Sequence, residues 1–525
     1  MVATSSLKML AAFAMVASAS AALTMSKVGG FSSARDEPLE IIATKTSTNH
    51  LFVASTLGVT ILELGTDLTP VELGFYDAMS TFGEPTSVAY NPVYDELAIS
   101  VASHDTLTKG MVYIVSSVED WMGCDYCDTY VQTLTTGYLP DMVTFTPDGR
   151  RILTANEGEA LDYTSVENDP EGSVSIFKRQ WKTKTYEEQC QLDFEKYNKP
   201  YRTNSLVERG VRKGGKNFTT MSMDMEPEYI AVTESGNTAY ITLQENNAVL
   251  KVDIKGCRAS RVYALGYKEW GNGMMCDASD KDGEINLDEW PQVKGMYMPD
   301  AITTFKADGT RYFITANEGD SREYGEEDSD DYFTDEIRVG DLAAEMGYDS
   351  SVAPYNDDTL GRLKVTTSAP FEDNMDELYA FGGRSISIFH GKTGELVWDS
   401  GDFMEQYTAN EDNGFSALFN SQGNADSFDG RSDDKGPEPE GLVMAEIDGR
   451  MYVFAGLERI GGWMCWDVSD PTAPVFQSYT NSYEDDSGPE SAVFIPAEDS
   501  PSGTALLISA FEASNTLAVY EVTVE

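Results

Sequence analysis

Short apolar segments that alternate with polar residues recur along almost the whole chain, and no long run has helical spacing. One phrase occurs twice. Residues 140–159 read PDMVTFTPDGRRILTANEGE, and residues 299–320 read PDAITTFKADGTRYFITANEGD. Weaker copies begin at Glu84, Glu226, Glu438 and Pro489. Each unit has a Pro-acid corner, an alternating strand, a turn rich in Asp, Gly or Asn, and a hydrophobic strand that ends on an acid. A further alternating strand follows: MVYIVSS, SVSIFK, AVLKVDI, SISIFH, WMCWDV or LAVYEV. Period-two alternation between such turns predicts antiparallel hairpins. Their repetition predicts an all-β fold of radially arranged sheets, a β-propeller. Counting strand pairs gives seven blades, with six or eight as alternatives, because 299–324 and 376–399 read either as one interrupted blade or as two. Leu51 to Leu64 reads as the first blade, and the tail from Ala505 to Val522 closes the ring beside it.

Two segments break the rhythm and read as insertions: 178–225, polar and locally basic, and 323–374, with the acidic run EEDSDDYFTDE. Residues 1–21 have the form of a signal peptide, with Lys8, an apolar stretch from Met9 to Val16, and A-x-A patterns ending at Ala19 and Ala21. The apolar stretch is far shorter than the roughly 20 residues that span a bilayer. No later segment is apolar enough, so a secreted, extracellular or cell-surface protein without a membrane span is expected, with one propeller domain over 36–525. Six Cys in an exported chain point to disulfides, and Cys124–Cys127 reads as a structural pair because nothing around it supplies a redox or zinc context. Asn217-Phe-Thr219 is a glycosylation acceptor in a polar stretch.

Charge then narrows the chemistry. The chain has 525 residues with 88 Asp+Glu, 37 Lys+Arg and 3 His, a net charge of −51. Nucleic acid is excluded as a natural partner, since phosphate binding needs clustered Lys and Arg. A site built on His is excluded as well. Strand ends converge on a propeller's channel, so an acid repeated at one register position builds an acidic ring. The corner acids are Asp141, Glu228, Asp300, Glu440 and Glu490; the strand-end acids are Glu157, Glu245, Glu318, Glu458 and Glu512. Crowded carboxylates need cations or raised pKa values. Oxygen ligands suit Ca2+, with Mg2+ or another divalent ion as alternatives. A second candidate is CDASDKDGEINLDE, residues 276–289. With Gly283 as the sixth position of a calcium loop, Asp280, Asp282, Asn286 and Glu289 fall at ligand positions, and Asp277 lies one residue early. Arg322, Arg431 and Arg459 lie beside repeat acids and are candidate phosphate contacts.

Together these phrases with TANEGDSREY, LGRLKVTT, ELYAFGGRSISI, RSDDKGPEPEGL and GLERIGG resemble the choice-of-anchor I family over about residues 36–525. That family includes atypical alkaline phosphatases and mesenchyme-specific cell-surface glycoproteins linked to biomineralisation. The resemblance implies a propeller-like fold, export and calcium. The function it implies is a secreted calcium-dependent phosphatase acting on phosphomonoesters. The alternative is a non-catalytic calcium-binding protein of matrix or cell surface, with mineral or extracellular matrix as partner in place of phosphorylated small molecules.

Overall fold

The computed structural model describes residues 22–35, 37–325, 329, 331–368 and 374–524. The expected signal peptide, 1–21, and part of the acidic run EEDSDDYFTDE lie outside them. Seven four-stranded antiparallel sheets follow one another along the chain. Blade 3 shows the plan: Pro140–Phe145, Arg151–Asn156, Ser173–Arg179 and Tyr186–Leu192, paired in that order. The second strand is buried along its whole length. Its apolar side chains face the neighbouring blades, where Ile152 packs with Ala98, Val112 and Ile114 of blade 2. The Asp-Gly turn between the first two strands needs Gly149, which sits at φ 66° with no room for a Cβ beside Asn91.

The first strand of each blade touches the first strand of the next, and that of blade 7, Pro489–Ile495, touches that of blade 1, Ile42–Lys45. The sheets therefore close into a seven-bladed propeller. Closure uses the N-terminus: Leu23–Ser32 runs antiparallel to Thr516–Val524 as the outermost strand of blade 7. The propeller thus starts ahead of residue 36, where the repeat pattern placed it. This strand buries little beyond Leu23 and Met25 and is interrupted by a bulge between Lys27 and Gly29, so its period is faint.

Blade 5 is one interrupted blade. Its second strand, Thr310–Asn317, pairs directly with Ser385–His390, and the chain between them leaves the ring. That excursion is longer than the expected 323–374. It is also a folded cap: Glu336–Arg338, Lys364–Thr366 and Leu378–Ala380 form a five-stranded sheet with Tyr267–Glu269 and Val293–Met296. Trp270, Val293, Leu342, Leu360 and Val365 make its core. The insertion expected at 178–225 is narrower than the pattern suggested, because Tyr186–Leu192 is the fourth strand of blade 3. The basic stretch around Lys182 is the tip of that blade's outer hairpin. Asn217 is exposed, as a glycosylation acceptor must be.

Disulfides join Cys124 to Cys127 and Cys190 to Cys257, leaving Cys276 and Cys465 as buried thiols. Cys190–Cys257 spans 67 residues and ties blade 3 to blade 4. Replacing both with Ser should lower stability by about 2–4 kcal/mol in urea unfolding, whereas opening the three-residue Cys124–Cys127 loop should cost clearly less. No described helix is long and apolar enough to cross a membrane.

Candidate cation-binding chamber and the calcium-type loop

The first strands open at a repeated irregularity. Pairing with the second strand slips between Pro85 and Ser87, Pro140 and Met142, Pro439 and Leu442, and Pro489 and Ser491. A bulge re-aims the side chain it carries. Here it turns Thr86, Asp141, Glu440 and Glu490 into the channel. The residues before Pro140, Pro299 and Pro439 all take positive φ, at 43° for Leu139 and Met298 and 49° for Glu438. The same costly backbone turn is thus repeated around the ring. The strand-end acids are held against it by the backbone: the Glu157 N–H donates to Leu139, and the Glu512 N–H to Gly488.

These residues surround a chamber of about 330 Å³. All five corner acids line it, as do Glu157, Glu245 and Glu512 of the strand-end set. Glu40 and Asp320 complete ten carboxyl groups, and the described lining residues include no Lys, Arg or His. The sequence carried a signal for Glu40. Glu37-Pro38-Leu39-Glu40 is the corner of blade 1 with one residue added, and Glu84-Pro85-Thr86 is the corner of blade 2 with Thr in place of the acid. Asp320 follows Glu318 at the point where blade 5 departs into the cap.

Burial, reinforced by neighbouring carboxyl groups, pushes Glu40 up to about 8 and Asp300 up to about 7. Burial alone lifts Asp141 to about 6. Glu157, Glu228, Glu440 and Glu490 are held well above the ordinary carboxyl range for the same reason, burial first and like charge second. Glu228, Glu245 and Glu440 each keep a buried Oε2 with no hydrogen-bond partner. Buried carboxylate oxygens without donors are costly unless a cation or a proton meets them. The donor set is oxygen only, so hard cations such as Ca2+ fit it.

Glu318 and Glu458 fall elsewhere. With Glu438 they bring one oxygen each within 4.8 Å of one another. The protein fills this group with its own cations. The Lys435 ammonium pairs with Glu318 and stands 3.4 Å from Glu438, while Arg459 Nη2 stands 2.9 Å from Glu458. Glu318 is thus met by Lys435, which RSDDKGPEPEGL folds back on it, and Glu458 by its own neighbour Arg459.

The arginines do not meet the role expected of phosphate contacts. Arg322 is fully buried, with Nη2 3.3 Å from Asp224 and Nε 3.6 Å from Glu226, and it also donates to the carbonyl oxygens of Glu245 and Asp224. Arg431 Nε donates to Glu438 at 2.6 Å, and Arg459 binds Glu438 and Glu458. None of the three is among the described residues lining the chamber.

In the calcium-type loop, Asp277 is buried with Oδ1 accepting the Ser279 N–H and Oδ2 accepting the Asn286 N–H at 2.6 Å. It therefore folds back over the loop backbone, although it lies one residue early in the spacing. Asp280 does not face a ligand position, because Arg362 Nε binds it at 2.8 Å and Lys281 pairs with it. Those pairs outweigh burial and hold it below the ordinary range. Asp282 and Asn286 are half-buried, and Glu289 is exposed.

A model of the choice-of-anchor I domain matches residues 40–471, most of the chain. The protein belongs to the choice-of-anchor I family. Among proteins similar to this family member is a mesenchyme-specific cell surface glycoprotein of Strongylocentrotus purpuratus, 29% identical over 326 residues, covering 55% of this chain and 41% of that protein. Another is gigasin-3a of Magallana gigas, 29% identical over 190 residues, covering 32% of this chain and 66% of that protein. The choice-of-anchor I chain thus aligns with less than two thirds of either. Solved structures with a similar trace include hydrazine synthase of Kuenenia stuttgartiensis (TM-score 0.46, 11% identity, 94% of this chain and 98% of that one). The WD40 domain of Toxoplasma gondii coronin is comparable (TM-score 0.44, 10% identity, 96% of this chain and 89% of that one). The fold assignment rests on the blade topology, not on these.

Proposed function

We propose that this choice-of-anchor I protein is an exported divalent-cation-binding propeller that holds Ca2+ in its central chamber and acts at the cell surface or in extracellular matrix without turnover. One observation carries the reading: ten carboxyl groups converge on one chamber whose described lining offers no basic side chain. Two disulfides and an exposed glycosylation acceptor support an oxidising, extracellular setting. With its chamber charge met by cations, the rigid ring would present an acidic face to mineral or matrix. Calorimetry with Ca2+ on chelator-stripped protein tests this. Heat that saturates at whole-number stoichiometry and weakens in Glu440→Gln is expected; no heat would end the reading.

Phosphomonoester hydrolysis is the second reading, and Ser87 favours it. Ser87 lines the chamber and its buried Oγ has no hydrogen-bond partner. Bound cations would supply Lewis acidity and charge neutralisation. Within this chain Ser87 would present a hydroxyl to a phosphate, and Thr86, whose Oγ1 donates to the Pro140 carbonyl, would fix the strand beside it. The second reading ranks below the first because Arg322, Arg431 and Arg459 are all engaged elsewhere. p-Nitrophenyl phosphate decides between them. Turnover that needs Ca2+ and disappears in Ser87→Ala establishes the hydrolase; no chelator-sensitive turnover leaves the binding protein.

A further inference from the structure

Asp429 lies in the segment leading into blade 6, more than a hundred residues beyond the calcium-type loop, yet Arg384 joins the two segments, donating to the Asp277 carbonyl and to the Ser432 carbonyl, each at 2.8 Å. Asp429 is 2% exposed. Its Oδ1 accepts the Ser432 hydroxyl at 2.6 Å, and its Oδ2 is buried with no hydrogen-bond partner. The charged groups acting most strongly on it are Asp277, Asp282 and Asp280, all of its own sign. Asp282 repeats the pattern from the loop side: Oδ1 accepts the Glu284 N–H, and Oδ2 is buried without a partner. Arg362 spans the two segments, holding Asp280 at 2.8 Å and Asp433 at 3.2 Å. It satisfies those two acids, whereas the Oδ2 atoms of Asp282 and Asp429 keep no partner and Asp277 is met by two backbone N–H groups.

Buried carboxylate oxygens are rarely left without a donor, and like charges are not gathered without something between them. Elsewhere in this protein basic side chains resolve the same problem, Lys435 at Glu318 and Glu438 and Arg459 at Glu458. For these three aspartates a hard cation with oxygen ligands is the fitting partner, and a flexible loop carrying Asp and backbone carbonyls suits Ca2+ better than the rigid octahedron of Mg2+. We propose that Asp429 joins Asp277 and Asp282 in a loop-based Ca2+ site, separate from the chamber, that ties the 276–289 segment to the chain entering blade 6. The assignment does not depend on the chamber reading. It replaces Asp280 and Glu289 of the sequence pattern with a residue that only the fold brings near. The three carboxyl groups are not drawn within 4.8 Å of one another as Glu318, Glu438 and Glu458 are, so the ion closes the loop onto Asp429. The consequence is mechanical: the segment from Asp429 to Glu438, which carries Arg431 and Lys435 to the edge of the chamber, becomes anchored to the cap.

Terbium luminescence sensitised by tryptophan reads this site selectively. The Trp290 indole donates to the Cys276 carbonyl at 3.1 Å, against the loop, whereas the described chamber lining contains no Trp. With Tb3+ titrated into the stripped full-length protein, sensitised emission should saturate in the wild type and equally in the chamber variant Glu228→Gln. It should be displaced by Ca2+. Asp429→Asn and Asp282→Asn should each weaken Tb3+ binding by roughly tenfold to a hundredfold, since removing even outer-shell partners costs that much at metal sites. Circular dichroism checks that the variants fold, and Asp282→Asn carries the test should Asp429→Asn unfold. Unchanged Tb3+ affinity in the folded variants overturns the proposal, and so does emission lost in Glu228→Gln but kept in Asp429→Asn. Failure of the chamber reading leaves this signal intact, so the two fail separately.

Discussion

Calcium should raise the thermal unfolding midpoint at pH 8 by about 4 °C per ion, and the increment should shrink towards pH 5. An ion at a thousandfold excess over its Kd contributes about 4 kcal/mol. Spread over the unfolding entropy of a 525-residue chain, about 1 kcal/mol per degree, that is the stated shift. The pH dependence follows from the chamber. Its carboxyl groups are raised above their unfolded values, Glu40 to about 8 and Asp300 to about 7, with Glu157, Glu228, Glu440 and Glu490 well above the ordinary range. In chelator the folded state therefore binds more protons than the unfolded one between about pH 4.5 and 8. Stability then falls as pH rises through that window. Calcium replaces the protons, so the loss is recovered at pH 8, where the carboxyl groups must ionise, and little is gained at pH 5, where they remain protonated. Glu228→Gln should raise the midpoint in chelator at pH 8 and reduce the calcium increment. Melting curves at the two pH values, with and without chelator, measure all of this. A midpoint at pH 8 indifferent to calcium would falsify the chamber assignment.

Much of this chamber could be read from the sequence because it is repeated. Asp141, Glu228, Asp300, Glu440 and Glu490 share a Pro-acid register, and at Asp141, Glu440 and Glu490 a bulge in the first strand accompanies it. Glu40 escaped because its corner has one residue more, and a one-residue change breaks a strict pattern while a bulge absorbs it. Blade 5 was ambiguous because the pairing of Thr310–Asn317 with Ser385–His390 is non-local, and nothing in either strand records how much chain lies between. The opposite fates of Glu157 and Glu318 show the limit most clearly. Both are the Glu of the phrase TANEG at the same register, yet one lines the chamber and the other binds Lys435, supplied by a segment 117 residues away. Periodicity reports what a residue shares with its repeats. It does not report which distant segment is laid over one repeat and not another.

The same overlay makes Arg322 a stability residue, and its removal should be among the most destabilising single changes. Its guanidinium is fully buried among Asp224, Glu226 and Asp335, each at most 2% exposed. Arg212, also fully buried, reaches Asp335 but donates otherwise to Thr366 and the Glu245 carbonyl. Arg322→Met would keep most of the side chain's volume and leave Asp224 and Glu226 without their main counter-charge. Breaking a buried pair on one side costs about 3–5 kcal/mol, because the surviving charge stays desolvated. The loss should be largest above pH 7. At lower pH the orphaned carboxyl groups can take protons, as burial already inclines Asp224 and Glu226 to do. Glu226→Gln in the Arg322→Met background should recover part of the loss, since an amide needs no counter-charge and Tyr324 Oη, 2.7 Å from Glu226 Oε1, can still donate to it. The same change in the wild-type background should be destabilising or neutral, so a double-mutant cycle in urea returns a favourable Arg322–Glu226 coupling. Arg459→Met, whose side chain is 38% exposed, should cost about 1 kcal/mol or less. A folded Arg322→Met protein of unchanged stability that no longer bound phosphate would restore the arginine to a ligand role; a guanidinium enclosed by three acids and two backbone carbonyls predicts the reverse.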